Sequence, residues 1–178
     1  MASLQDRMIR AAKLDVNLYE EVEADKSALP QAILVVVIAS VATGIGTIGV
    51  GGLKSIVVLT ILSLIGWFVW AYITYIVGTK LLPTPETKAD HGELLRTIGF
   101  SNAPGVLRIF HIIPIIGPYI SFAVSIWTLV AMVIAVRQAL DYTSTGRAIG
   151  VCIIGWIIQG IFIFIVAKIF GIPLFPGA

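Results

Sequence analysis

The stretch PTPETKADHGELLRTIGFSNAPGVLRIFHIIPIIGPY, Pro83 to Tyr119, decides how this chain folds. Long apolar blocks lie on both sides of it. It holds both histidines, His91 and His111, and five of the eight prolines. It also holds Glu86, Asp90 and Glu93, three of the four acidic residues that follow position 25. Whether Leu94–Ile113 crosses a bilayer, or dips in and returns, sets the topology of everything around it.

Working outward, the composition fixes the class. The chain has 178 residues, 58% hydrophobic and only 12% charged, with a mean hydropathy of +0.99. A soluble domain carries about 25% charged residues. The apolar blocks are continuous and do not alternate with period two, which predicts helices and not a barrel. The expected fold is an all-α polytopic membrane helix bundle in one domain. A net charge of +2 gives no footprint for nucleic acid. The lone Cys152 sits in an apolar run, so it packs as a small hydrophobe and forms no intramolecular disulfide. The first 27 residues are charged and lack the apolar core of a signal peptide, so the first span is expected to direct insertion.

Residues 1–27 read as a cytoplasmic or interfacial amphipathic segment. Arg7, Arg10 and Lys13 precede an acidic run of Asp15, Glu20, Glu21, Glu23 and Asp25. Leu14, Leu18 and Val22 recur every four residues, as on one helix face. Residues 28–178 read as a single membrane domain with spans at about 28–48, 55–78, 94–113, 119–140 and 148–170. Ser27 is the expected cap of the first span, with Pro30 in its first turn. Ala39, Ser40, Thr43 and Gly44 give that span a small-residue face suited to close helix packing, within the bundle or between copies. Gly46, Gly49, Gly51 and Gly52 read as a turn. Trp67, Trp70, Tyr72 and Tyr75 spread too far along the second span for all to sit at one interface. Pro83 and Pro85 stop it, and Thr84 or Thr87 is expected to cap the next helix. The tail GIPLFPGA ends the last helix.

Five spans are expected; the alternative is four spans plus a re-entrant segment at 94–118. With the N-terminus inside, both arrangements put nine Lys and Arg residues inside and three outside, so the positive-inside rule orients the chain without choosing between them. Geometry favours five. Twenty residues from Leu94 to Ile113 reach about 30 Å, the thickness of the hydrocarbon core. Arg108 then lies about a turn and a half below the outer surface, within snorkelling reach. Asn102, Pro104 and Gly105 fall at mid-membrane, where a broken helix needs neighbours to satisfy its carbonyls.

Several side chains are candidates for function. Ser101, Asn102, Pro104, Gly105 and Gln159 could line a pocket, with Asn102 and Gln159 bonding across helices. Arg96, Arg137, Asp141 and Arg147, joined by Asp90 and Glu93, are expected to form a polar cluster, with Arg137 pairing with Asp141 or Arg96 reaching it. No metal site and no cofactor are expected. Glu86, Asp90 and Glu93 could share one helix face and ligate a hard cation, but they also read as a capped, solvated helix start. His111 is expected to satisfy an interfacial hydrogen bond. HExxH, GxSxG, GxGD and Walker A patterns are absent, so no enzyme is expected.

At GFSNAPG the chain resembles the Yip family of small membrane proteins, relatives of the Ypt/Rab-interacting proteins. Gly99, Phe100, Ser101 and Pro104 stand where the family tends to carry Gly-Tyr-Ser and then Pro in its third membrane segment. Asn17, Leu18 and Tyr19 loosely resemble the family's Asp-Leu-Tyr-Gly-Pro element before the first span. The Gly-Pro is missing, so small-GTPase binding does not carry over with the resemblance. The short N-terminal region is similar to that of prokaryotic members. The resemblance implies five spans and a cytoplasmic N-terminus. The functional expectation is a non-enzymatic scaffold or interaction protein of the cell membrane. Its partners would be the bilayer and itself or other membrane proteins. The alternative is a small-solute or ion transporter or channel with its site at the broken third segment.

Overall fold

A computed structural model describes residues 2–170, without the side chains of residues 50, 51, 55, 163 and 166–170. The expected helix end in GIPLFPGA and the Lys168 side chain lie outside the described residues. All elements among the described residues are helical.

The N-terminal segment is a hairpin of two short helices. Helix α1 spans Leu4–Ala12 and α2 spans Val16–Ala24. Ser3 caps the first by accepting from the Asp6 amide, and Asp15 caps the second by accepting from the Asn17 amide. Leu14, at φ 61°, reverses the chain between them. The single amphipathic helix expected here is therefore broken, and Leu14 sits in the turn, off the face shared by Leu18 and Val22. Those two and Tyr19 are fully buried. The cap expected of Ser27 is instead Asp25, whose carboxylate accepts from the Ser27 amide and hydroxyl.

Helix α3 spans Leu29–Gly46, with Pro30 in its first turn as expected. Helix α4 spans Ile48–Ile76 and is kinked at Gly52. There φ is 65° and ψ −176°, a conformation that only glycine adopts without strain. A π turn over Val77–Leu81 continues α4. Trp67 and Trp70 turn into the bundle, donating to the Leu95 carbonyl and the Met132 sulfur, while Tyr72 is exposed. Helix α5 spans His91–Ser101, a 3-10 segment follows over Ala103–Ile112, α6 spans Ile116–Ala139 and α7 spans Thr145–Phe170.

Among the described residues four helices, within α3, α4, α6 and α7, are long and apolar enough to cross a membrane. The segment between α4 and α6 does not qualify as one helix, because Pro104 has no amide to continue α5. It changes to the tighter 3-10 winding instead. Ser101 and Asn102 side chains donate to the Ile98 carbonyl, which the break would otherwise leave free. Eleven α residues and ten 3-10 residues reach about 36 Å together, enough for a bilayer core.

Packing gives the direction of this composite. Gly99 lies against Ala32, Gly105 against Ala39, and the Arg108 carbonyl and His111 against Gly46. Three positions of α3 spaced by seven thus meet successive positions of the third segment in the same order. The two elements run parallel, from the charged end of the bundle to the far end. A re-entrant turn would bring Ile113 back to the charged end. It lies instead at the far end, where Ile115, at φ 68°, leads into α6.

Candidate functional site

A cavity of about 300 Å³ lies inside the bundle, with walls from all five membrane segments. Val36, Ala39, Ser40 and Thr43 come from α3, Ser63, Gly66, Trp67 and Trp70 from α4, and Ile98, Asn102, Gly105 and Arg108 from the third segment. Met132, Trp156 and Gln159 complete it from α6 and α7. Three residues expected to line a pocket, Asn102, Gly105 and Gln159, are brought together here. Ser101 and Pro104 are not: both are buried and turned to other neighbours.

The polar groups differ in what they have left to offer. Ser40 and Thr43 donate back to the Val36 and Ala39 carbonyls, so they present lone pairs to the cavity. Asn102 bonds within its own helix, at 2.9 Å to the Ile98 carbonyl, and does not reach Gln159. The expected bond across helices is not formed: the Asn102 amide turns to the Gly99 carbonyl, and the Asn102 side chain takes its place at Ile98. Gln159 has no hydrogen-bond partner among the described residues.

Arg108 is the centre of the site. It lines the main cavity and two smaller ones, one with Thr43, Thr47, His111, Ser121 and Ser125, the other with Ser125, Thr128, Leu129, Met132 and Trp156. Its one hydrogen bond among the described residues is a 3.4 Å contact from Nη2 to the Ser125 hydroxyl, and no described carboxylate pairs with it. The guanidinium has five N–H donors, so most face the cavities. Arg108 sits four residues before the end of the 3-10 segment, about 8 Å along its axis. His111, one turn further out, meets Ser121 at 2.8 Å, the interfacial bond expected of it.

The small-residue face of α3 is used inside the bundle. Ala39 packs on Gly105 and Gly44 on Ile56, with Ala39, Ser40 and Gly44 buried.

At the charged end the expected polar cluster is taken apart. Arg96 donates to the Val22 and Glu23 carbonyls, which fastens α5 to the end of α2. Arg137 donates to the Tyr142 and Thr143 carbonyls and the Thr145 hydroxyl, bracing the α6–α7 loop. Asp141 adopts φ 52° and accepts from the Lys88 amide, so neither expected pairing forms. Carbonyls at the end of α2 take Arg96, and carbonyls of the α6–α7 loop take Arg137. Arg147 is exposed. Asp90, not Thr84 or Thr87, caps α5. Asp90 and Glu93 form a reciprocal capping box, while Glu86 stands apart in the preceding loop. Among the described residues no group of three or more His, Cys, Asp or Glu could hold a metal.

The ion pairs concentrate in the N-terminal hairpin. Arg7, only 3% exposed, bonds Glu21, Asp25 and Gln31, and Arg10 bonds Asp15 and Glu21. Hydrogen bonds from Ser27 and Arg7 hold the Asp25 carboxyl down to about 2. The reverse holds at Glu23. Burial pushes its carboxyl up to about 8, aided by Asp141, Glu20 and Glu93 and opposed by Arg96. Sequence reading missed both, since residues 14 or more apart in a lead-in segment give no pairing signal until the hairpin is known.

Both stretches that carry the family resemblance meet in one buried cluster. Leu18 and Tyr19 from α2 pack with Phe100 and Ala103 of the third segment, together with Ala32, Val35 and Ala135. Comparison with curated proteins and with solved structures finds no match. The family model described as the Yip1 domain matches residues 18–167, which takes in most of α2, the Leu18–Tyr19 contact with the third segment and every cavity-lining residue. The chain therefore belongs to the Yip1 domain family of membrane proteins.

Proposed function

We propose that this chain is a non-enzymatic multi-pass protein of the cell membrane that binds a small anionic ligand in the cavity at Arg108. The observation that carries the reading is a guanidinium without an acidic partner among the described residues, lining a polar cavity walled by all five membrane segments. An arginine at the bilayer centre costs about 2.5–3.5 kcal/mol on insertion scales, and less toward the interface, the side on which Arg108 lies. An anion in the cavity would offset that cost and take up the unused donors. This favours the solute-handling reading over the scaffold reading, whose small-residue face is covered by the chain itself. Leu18 and Tyr19 are equally covered, which leaves no exposed counterpart of the family's N-terminal element for a small GTPase. The N-terminal hairpin and the loops beside it carry most of the basic residues, so the positive-inside rule places that end in the cytoplasm.

The test is thermal unfolding in neutral detergent with acetate or phosphate, against chloride at matched ionic strength. A ligand at 100 times its Kd stabilises by about 2.7 kcal/mol, or roughly 5–10 °C for a chain of this size. The expected result is a saturable rise with acetate or phosphate that Arg108→Gln abolishes. Identical melting in every salt, for the native chain and for Arg108→Gln and Gln159→Leu alike, would return the choice to the scaffold reading.

A further inference from the structure

We infer that the anion is the headgroup of a single-chain amphiphile drawn from the bilayer, its chain lying between α6 and α7. This rests on the anion-binding reading of Arg108. The second observation is a crevice of about 570 Å³ between α6 and α7, whose lining exposes only apolar atoms. It runs beside Leu129, Val133, Ile149, Cys152 and Ile153. The crevice is continuous with the polar cavities. Leu129 and Trp156 line both it and the small cavity that contains Arg108 and Ser125, and Trp156 also lines the main cavity. Polarity is thus sorted along one path, with a cationic, hydroxyl-lined end at Arg108 and a wholly apolar end between the helices.

The dimensions fit one acyl chain. Along α7 the lining runs from Thr145 to Trp156, a rise of eleven residues or about 16 Å. The combined volume lies within the range of ordinary ligand pockets. A small inorganic anion would use the polar end and leave the crevice unexplained. A neutral lipid chain would use the crevice and leave Arg108 without a counter-charge. An anionic amphiphile satisfies both, with its headgroup toward the far end and its chain toward the charged end.

Trp156, at the junction, reports directly. The chain, in discs of phosphatidylcholine, is titrated with stearate brominated at mid-chain, which quenches tryptophan on contact. The expected result is saturable quenching, weakened at least ten-fold by Arg108→Gln. The double variant Val130→Phe with Ile153→Phe fills the crevice from two exposed positions and should weaken it as much. The brominated methyl ester should give no saturable phase. The inference is overturned if the ester quenches like the anion, or if the filled crevice changes nothing. If acetate or phosphate still raises the melting temperature through Arg108 while brominated stearate quenches nothing, the small-anion reading stands and this one falls. If neither ligand acts, both fall.

Discussion

Exchanging one methyl group across the α3–α5 contact tests the parallel register on which the five-segment fold depends. A Cβ built at Gly99 lies 2.7 Å from the Ala32 Cβ and 3.3 Å from its Cα and carbonyl oxygen. Cβ atoms do not approach so closely, and the atom it meets is fixed to the α3 backbone. Gly99→Ala must therefore push the two helices apart. Overpacking of this kind costs about 1–3 kcal/mol, against about 1 kcal/mol returned by helix propensity. Ala32→Gly loses about 1 kcal/mol of propensity and about 0.8 kcal/mol of buried methyl. In the double variant the Gly99→Ala methyl occupies the space that Ala32→Gly vacates and the propensity changes cancel, so its stability should be near native. The coupling energy is then about 2–4 kcal/mol, at the upper end of what residues in contact show. Thermal unfolding of the four proteins in neutral detergent should place the double variant roughly 4–15 °C above the additive expectation. Additive behaviour would mean that Gly99 does not face Ala32, and the parallel register would be wrong.

Two further perturbations address the N-terminal hairpin. Glu23 binds a proton in the folded chain up to about pH 8, whereas an ordinary glutamate releases it near 4.3. Its stabilising share is therefore full below the unfolded value and is lost as pH rises through 8. Glu23→Gln should flatten the fall in melting temperature over this window; an unchanged fall would assign it to other groups. Arg7→Gln leaves Asp25 unpaired and Glu21 with Arg10 alone. The Arg7 side chain is only 4% exposed, but its partners are 33% and 26% exposed, so the expected loss is about 2–3 kcal/mol, below that of a fully buried pair. Limited proteolysis should then cut first between α1 and α3, and a native cleavage pattern would speak against the hairpin being held by these bonds.

The membrane helices were legible because continuous apolar runs bounded by charge leave little else for the backbone to do in lipid. The third segment was legible in length and not in kind. Pro104 announces a break, but whether the chain bends, returns or rewinds depends on what lies beside it. Gly99, Gly105 and Gly46 permit a close parallel approach to α3, and that approach carries the rewound half to the far end. The N-terminal segment was misread for a similar reason. A four-residue recurrence of Leu14, Leu18 and Val22 fits one helix, whereas the bonds of Arg7 and Arg10 to Glu21 and the packing of Ala11 with Leu18, Tyr19 and Val22 hold it folded in two.

The site was half legible. Asn102, Gly105 and Gln159 stand out as polar or small residues in apolar surroundings, and they do share a cavity. Arg108 is legible as a charge but not as a centre. Its standing depends on facing Ser125 and the gap between α6 and α7, which no spacing in the sequence encodes. An interfacial arginine that snorkels outward would be a topological marker and nothing more. Three cavities that meet at its side chain give it a different role. The bundle surrounds the guanidinium with hydroxyls, whose lone pairs only partly replace water, and supplies no carboxylate. In a membrane an uncompensated charge is costly; an anionic ligand would supply a counter-charge, whereas water in the cavity would supply only dipoles. The halide-matched melting series distinguishes these, because water needs no particular anion.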